Sequence, residues 1–122
     1  MARANRLRVD GGVFHVTHRC HNRAFLLKFV RDRNDYRMTL RRGLLQCELS
    51  VLDYCITSNH VHLMVCSEAP EHVSRFMQKV DGEFAQHYNR RKHRSGAFWE
   101  DRFHSTMIEP GGHGEGCLVI SG

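Results

Sequence analysis

Two histidines one residue apart, His60 and His62, are the part of this sequence best suited to chemistry. They sit in Tyr54-Cys55-Ile56-Thr57-Ser58-Asn59-His60-Val61-His62-Leu63-Met64-Val65, which reads as two short strands joined by the polar turn Thr57-Ser58-Asn59. On the second strand Val61, Leu63 and Val65 alternate with His60, His62 and Met64. Side chains on a strand repeat with a period of two, so both imidazoles leave from one face and the aliphatic residues from the other. Neutral imidazoles so placed can share one divalent metal ion. A metal-dependent hydrolase would complete the pair with a carboxylate, for which Asp53 and Glu83 are candidates. A solvated sheet face bearing two histidines would show the same alternation.

Other elements must hold this strand in place. After the turn signal Gly11-Gly12, Val13 to Arg19 reads as a first strand. Phe14, Val16 and His18 form its core face, leaving His15, Thr17 and Arg19 for a ligand or for solvent. A first helix falls within Phe25 to Gln46, firmest from Asp32 to Leu45, where Tyr36, Leu40 and Leu44 share one side and Gly43 weakens the end. The strand Leu49 to Ile56 is expected to put Leu52, Tyr54 and Ile56 on one side and Val51, Asp53 and Cys55 on the other. A second helix opens at Pro70-Glu71, with proline at the first helical position and an acidic residue against the helix dipole. Its stripe Val73, Phe76, Met77, Val80, Phe84 and Tyr88 has a 3.6-residue period and faces the core. The helix runs into the basic cluster Arg90, Arg91, Lys92 and Arg94 and is expected to stop at Ser95-Gly96. An aromatic loop at Phe98 to Phe103 and a last strand at Ser105 to Ile108 follow. Strand, helix, strand, strand, helix, strand is the order of an α+β domain with helices on one face of an antiparallel sheet.

Composition sets the outer limits. A chain of 122 residues, 41% hydrophobic, suits one small domain with one core. The net charge of +5 favours a polyanionic partner, and Arg3, Arg6 and Arg8 add a basic N-terminal arm suited to phosphates. Five cysteines without a CxxC pair argue against a zinc ribbon and a secreted disulfide framework. No stretch has the length of a membrane span or the core of a signal peptide, so a reducing, cytoplasmic setting without a membrane is expected. From Pro110 the run Pro-Gly-Gly-His-Gly-Glu-Gly stops specifying structure, which divides the chain into a domain at 1–109 and an atypical, disordered tail at 110–122.

In this order the residues become familiar. Gly12-Val13-Phe14-His15-Val16-Thr17-His18-Arg19, the Tyr54-to-Leu63 run, Tyr88 to Gly96, and Phe98-Trp99-Glu100-Asp101-Arg102-Phe103 with Ser105 resemble the HUH single-tyrosine transposases. The resemblance is to the insertion-sequence-200-like and REP-associated group and covers roughly residues 1–109. It implies a ferredoxin-like fold, Mg²⁺ or Mn²⁺ on His60 and His62, and single-stranded or hairpin DNA as partner, bound by a monomer or homodimer. It also implies DNA contacts from His15, Thr17 and Arg19 and from Arg90, Arg91 and Arg94. The implied reaction is strand cleavage by a tyrosine hydroxyl, which leaves a 5′-phosphotyrosine and a free 3′-OH for rejoining. In the family that tyrosine lies on a later helix, in a pattern like Tyr-Ile-x-x-Asn-Pro-Val, whose asparagine completes the metal shell. Here Cys117-Leu118-Val119 resembles the lead-in, but Ile120-Ser121-Gly122 follows without either residue, as a truncated or frame-shifted gene would give. Tyr36, Tyr54 and Tyr88 lack a ligand four positions on, so none is expected to replace the nucleophile and the chain is expected to be impaired in cleavage.

Overall fold

The computed structural model describes residues 12–110. The arm with Arg3, Arg6 and Arg8 and the segment containing Cys117 to Ile120 lie outside them. Four strands, β1 (Gly12–Arg19), β2 (Leu49–Ile56), β3 (His60–Ser67) and β4 (His104–Pro110), alternate with helices α1 (Val30–Leu44) and α2 (Pro70–Arg91). The sheet order is β2-β3-β1-β4, with β3 antiparallel to β1 and β2, and β1 antiparallel to β4. The histidine strand is therefore interior, and both helices pack on one face of an antiparallel α+β sheet, as its alternation predicts.

Val61, Leu63 and Val65 of β3 and Phe14 and Val16 of β1 are buried against the α2 stripe of Val73, Phe76, Met77, Val80, Phe84 and Tyr88. Each such side chain removed from water contributes about 1.5–3 kcal/mol before entropy is counted. Tyr36 and Leu40 bring α1 onto the same core, while Phe98 and Trp99 close its end. The helices approach closely where α1 has Gly43: a Cβ there would lie 2.5 Å from Val80 Cγ2. That contact gives Gly43 a packing role that its low helix propensity conceals.

Three local features differ from the sequence reading. Residues Phe25 to Phe29 are not helical; Leu27 is buried in the core and its N–H bonds Ser58 O at 2.9 Å. Arg33 holds the segment by donating to Leu27 O at 2.9 Å and Lys28 O at 2.7 Å. In β2 the register shifts between Val51 and Asp53, because Leu52 is the extra residue of a bulge. Val51 therefore packs on the core with Ile56, while Leu52 joins Val13, Cys66 and Met64 on the opposite face. Finally, α2 ends at Arg91 rather than near Gly96, with His93 in the left-handed region at φ 53°. Arg94 N–H bonds Asn89 O at 2.8 Å and His93 N–H bonds Arg90 O at 3.4 Å, a Schellman closure without glycine.

The buried polar network centres on Asp81 of α2. His18 Nδ1 lies 2.6 Å from its Oδ2, Tyr36 Oη donates to Oδ1 at 2.7 Å, and Trp99 Nε1 donates to its backbone carbonyl at 2.9 Å. His18, placed on the core face by the strand period, is thus tied to α2, stacked on Trp99 at 4.5 Å and linked through Asp81 to α1.

Candidate functional site

The face of the sheet turned away from the helices carries the chemistry. The strand register sets Cys55, His62, Thr17 and His104 side by side across all four strands. In neighbouring rows Arg19 stands opposite His60, and His15 lies between Met64 and Thr106. The imidazoles of His60 and His62 converge, with their Nε2 atoms 2.9 Å apart and ring centroids 4.6 Å apart.

The other nitrogen of each ring is held. His60 Nδ1 is 2.8 Å from Asn59 Oδ1 and 2.9 Å from Thr57 Oγ1. An amide oxygen only accepts, so the bond to Asn59 puts the proton on Nδ1 and leaves the His60 Nε2 lone pair outward. Asn59 and Thr57 belong to the polar turn between β2 and β3, which gives that turn a purpose beyond reversing the chain. His62 Nδ1 is 3.2 Å from His15 Nε2 and 3.3 Å from Thr17 Oγ1, and the His15 and His62 rings stack at 5.3 Å. Both rings of the pair are held below the ordinary histidine pKa, first by burial, then by a neighbouring imidazole (His62 for His60, His15 for His62) and by Arg19. Both rings are therefore neutral at physiological pH, the state in which an imidazole can bind a metal.

This donor set fits a divalent ion. Adjacent ligand atoms on an octahedral ion with bonds of ~2.1 Å are roughly 3 Å apart, and the two Nε2 atoms already have that separation. Hydrogen bonding at the second ring nitrogen is the usual support for a metal-bound histidine. No group of three His, Cys, Asp or Glu side chains among the described residues converges on one point, and His60 and His62 are the pair brought together here. Asp53 borders a shallow depression of about 110 Å³ with His15 and His62, but its Oδ1 accepts the Tyr54 N–H at 2.9 Å. Glu83 stands on α2, across the sheet from the histidines, and pairs with Lys79 at 3.8 Å. Neither carboxylate completes the set.

The described tyrosines point elsewhere. Tyr36 is buried on Asp81, and Tyr88 is buried against Phe98 and Phe84. Tyr54 pairs with Leu63, whose side chain is in the core, and its ring lies under Arg37 of α1. Of the sequence-predicted arginines, Arg19 and Arg90 are exposed. Arg91 bonds the buried Asp32 at 2.6 Å, with Lys92 3.3 Å from the same carboxylate. Arg94 donates to Asn89 Oδ1 and to Ala97 O, both at 2.9 Å. Two residues of this face escaped sequence reasoning: His104, outside the expected strand by one position, and Asn59, read only as a turn residue.

Comparison with known proteins bears on this geometry. A family model described as "Transposase IS200 like" matches residues 9–112. Among solved structures, a REP-associated tyrosine transposase bound to a REP hairpin superimposes with a TM-score of 0.66 at 14% identity. The match covers 83% of this chain and 58% of that one, so the chain spans less than two thirds of that protein's length. A Deinococcus radiodurans R1 protein assigned as a transposase gives a TM-score of 0.66 at 17% identity, covering 82% of this chain and 81% of that one. At these identities both likenesses concern the fold. No curated protein matches the sequence.

Proposed function

The chain belongs to the IS200-like transposase family, and from that premise we propose that it binds single-stranded or hairpin DNA across the face bearing His60 and His62, with Mg²⁺ or Mn²⁺ as the ion the pair takes. The observation carrying this reading is the convergence of two neutral imidazoles whose second nitrogens are already bonded. His60 and His62 hold the ion, Asn59 and Thr57 orient the first ring, and His15 and Thr17 orient the second. An ion so held supplies positive charge beside a phosphate. The exposed Arg19 and Arg90 meet backbone phosphates. Arg91 and Arg94 act from within, by fixing the end of α2 that presents Arg90 on the helix side of the sheet. The hairpin bound by the structural neighbour supports a nucleic-acid partner of this class.

Calorimetry and anisotropy test the proposal together. Mn²⁺ should bind the parent weakly, with most of its coordination left to water, and should not bind His62→Ala. A labelled hairpin should bind the parent with strong salt dependence, and Arg90→Ala should reduce the slope of log K against log salt by roughly 0.7. Equal Mn²⁺ binding by the parent and the variant would overturn the metal assignment, and a parent indifferent to DNA would overturn the function.

A further inference from the structure

We infer that the segment from Cys20 to Phe29, with Phe25 and Phe29 as its platforms, is a stacking subsite for unpaired bases beside the turn that holds His60. The inference rests on the DNA-binding reading above and adds the residues that receive the bases.

The placement comes from hydrogen bonds to the turn that holds His60. Cys20 N–H bonds Asn59 O at 2.8 Å, Leu27 N–H bonds Ser58 O at 2.9 Å, and Asn59 Nδ2 reaches Arg23 O at 3.5 Å. The segment is thus a rim of the turn that orients His60, and its far end, Phe29, lies beside Lys92 on the helix side of the sheet. It is anchored by two buried side chains, Cys20 and Leu27, and braced by Arg33, yet it leaves two aromatic rings exposed. Phe25 is 64% exposed and Phe29 57% exposed. So much exposed aromatic surface contributes little to the core, and a loop that needed only to connect β1 to α1 would not require either ring.

Charge decides what would cover them. From Cys20 to Arg33 the chain has the cations Arg23, Lys28, Arg31 and Arg33 against one carboxylate, Asp32. Asp32 is 1% exposed and already neutralised by Arg91 and Lys92. The ammonium groups of Lys92 and Lys28 lie 5.0 and 5.6 Å from the Phe29 ring. Arg31 pairs with Asp35 at 3.9 Å, but Arg23 and Lys28 face no carboxylate among the described residues. Aromatic rings interleaved with such cations suit single-stranded nucleic acid, because every base has a face to stack and every phosphate a charge to meet. An apolar protein partner would meet the same cations as an electrostatic penalty. Asn22 and Arg23 both adopt positive φ, 56° and 55°, a conformation uncommon for arginine that marks this rim as specially shaped.

The test uses the full chain and a 5′-fluorescein dT12 strand. Phe25→Ala and Phe29→Ala should each weaken binding roughly tenfold while leaving the salt slope unchanged. Phe25→Leu should lose nearly as much, because its side chain is apolar but cannot stack. Phe25→Trp should bind as well as the parent, and its added fluorescence should be quenched by dT12. Both rings are exposed, so circular dichroism should show every variant folded. If the parent binds dT12 and the double alanine variant binds it equally, the subsite is overturned while the DNA reading stands. The subsite falls equally if the double variant only converts a dimer to a monomer. If the parent binds neither dT12 nor the hairpin, both fall.

Discussion

Asp81 shows how one side chain can hold three elements at once. Its carboxylate takes His18 from β1 and Tyr36 from α1 while its own helix supplies the backbone. Burial raises its pKa above the ordinary carboxylate value, with the His18 and Tyr36 bonds pulling the other way. A group with a raised folded pKa contributes stability that is complete below its unfolded pKa and is lost as pH rises through the folded one. Asp81→Asn keeps an oxygen for Tyr36 and removes the titration, so its stability should fall less with pH than the parent's between about pH 4 and neutrality. Asp81→Ala leaves the Tyr36 hydroxyl and His18 without their partner and should cost about 3–5 kcal/mol. Urea unfolding across that range is the measurement; parallel pH profiles for parent and Asp81→Asn would refute the raised carboxyl. The strand period puts His18 on the core face but says nothing of its partner, which lies 63 positions away.

Two glycines in the helices should respond oppositely to alanine. Gly43 faces α2, where a new Cβ would press on Val80 and Phe76. Overpacking of about 1–3 kcal/mol should outweigh the helix-propensity gain of about 1 kcal/mol, making Gly43→Ala net destabilising. Gly82 has nothing within 4 Å of such an atom, so Gly82→Ala should stabilise by about 0.5–1 kcal/mol. Urea midpoints read both signs, and a stabilised Gly43→Ala would mean that the helices lie further apart than described. These elements differ in how much the sequence discloses. The α2 stripe is legible because six apolar residues at one period leave only one face to bury. The β2 faces come out reversed from Leu52 backward, because a bulge changes phase without changing composition. The basic cluster after Tyr88 looks uniform as a string. Only the fold separates the exposed Arg90 from Arg91, which is tied to a carboxylate on the other helix.

At the scale of the molecule, the site is split between what the chain supplies and what it lacks. The histidine pair is legible because both ligands share one strand and the period fixes their face. Asn59, His15 and Thr17 become its supports only when β1 and the turn are placed beside it. The three tyrosines of the sequence all lie on the far side of the sheet or in the core. In-line attack needs an oxygen roughly 3–3.5 Å from phosphorus. This chain, incubated with hairpin DNA and Mn²⁺, should therefore form no covalent protein–DNA adduct on denaturing gels; an adduct mapped to Tyr36, Tyr54 or Tyr88 would contradict that geometry. The strand order has one more consequence. Because β3 is bonded to β1 on one side and β2 on the other, its amides are shared between two ladders and it has no open edge from which exchange with deuterium could begin. The Cys20-to-Phe29 rim is tied to the same core, because Cys20 and Leu27 are fully buried in it and bond the turn before β3. The histidine strand and the anchors of the rim would thus keep time with the slow opening of one core, and faster motion is left to the exposed side chains of Phe25 and Phe29.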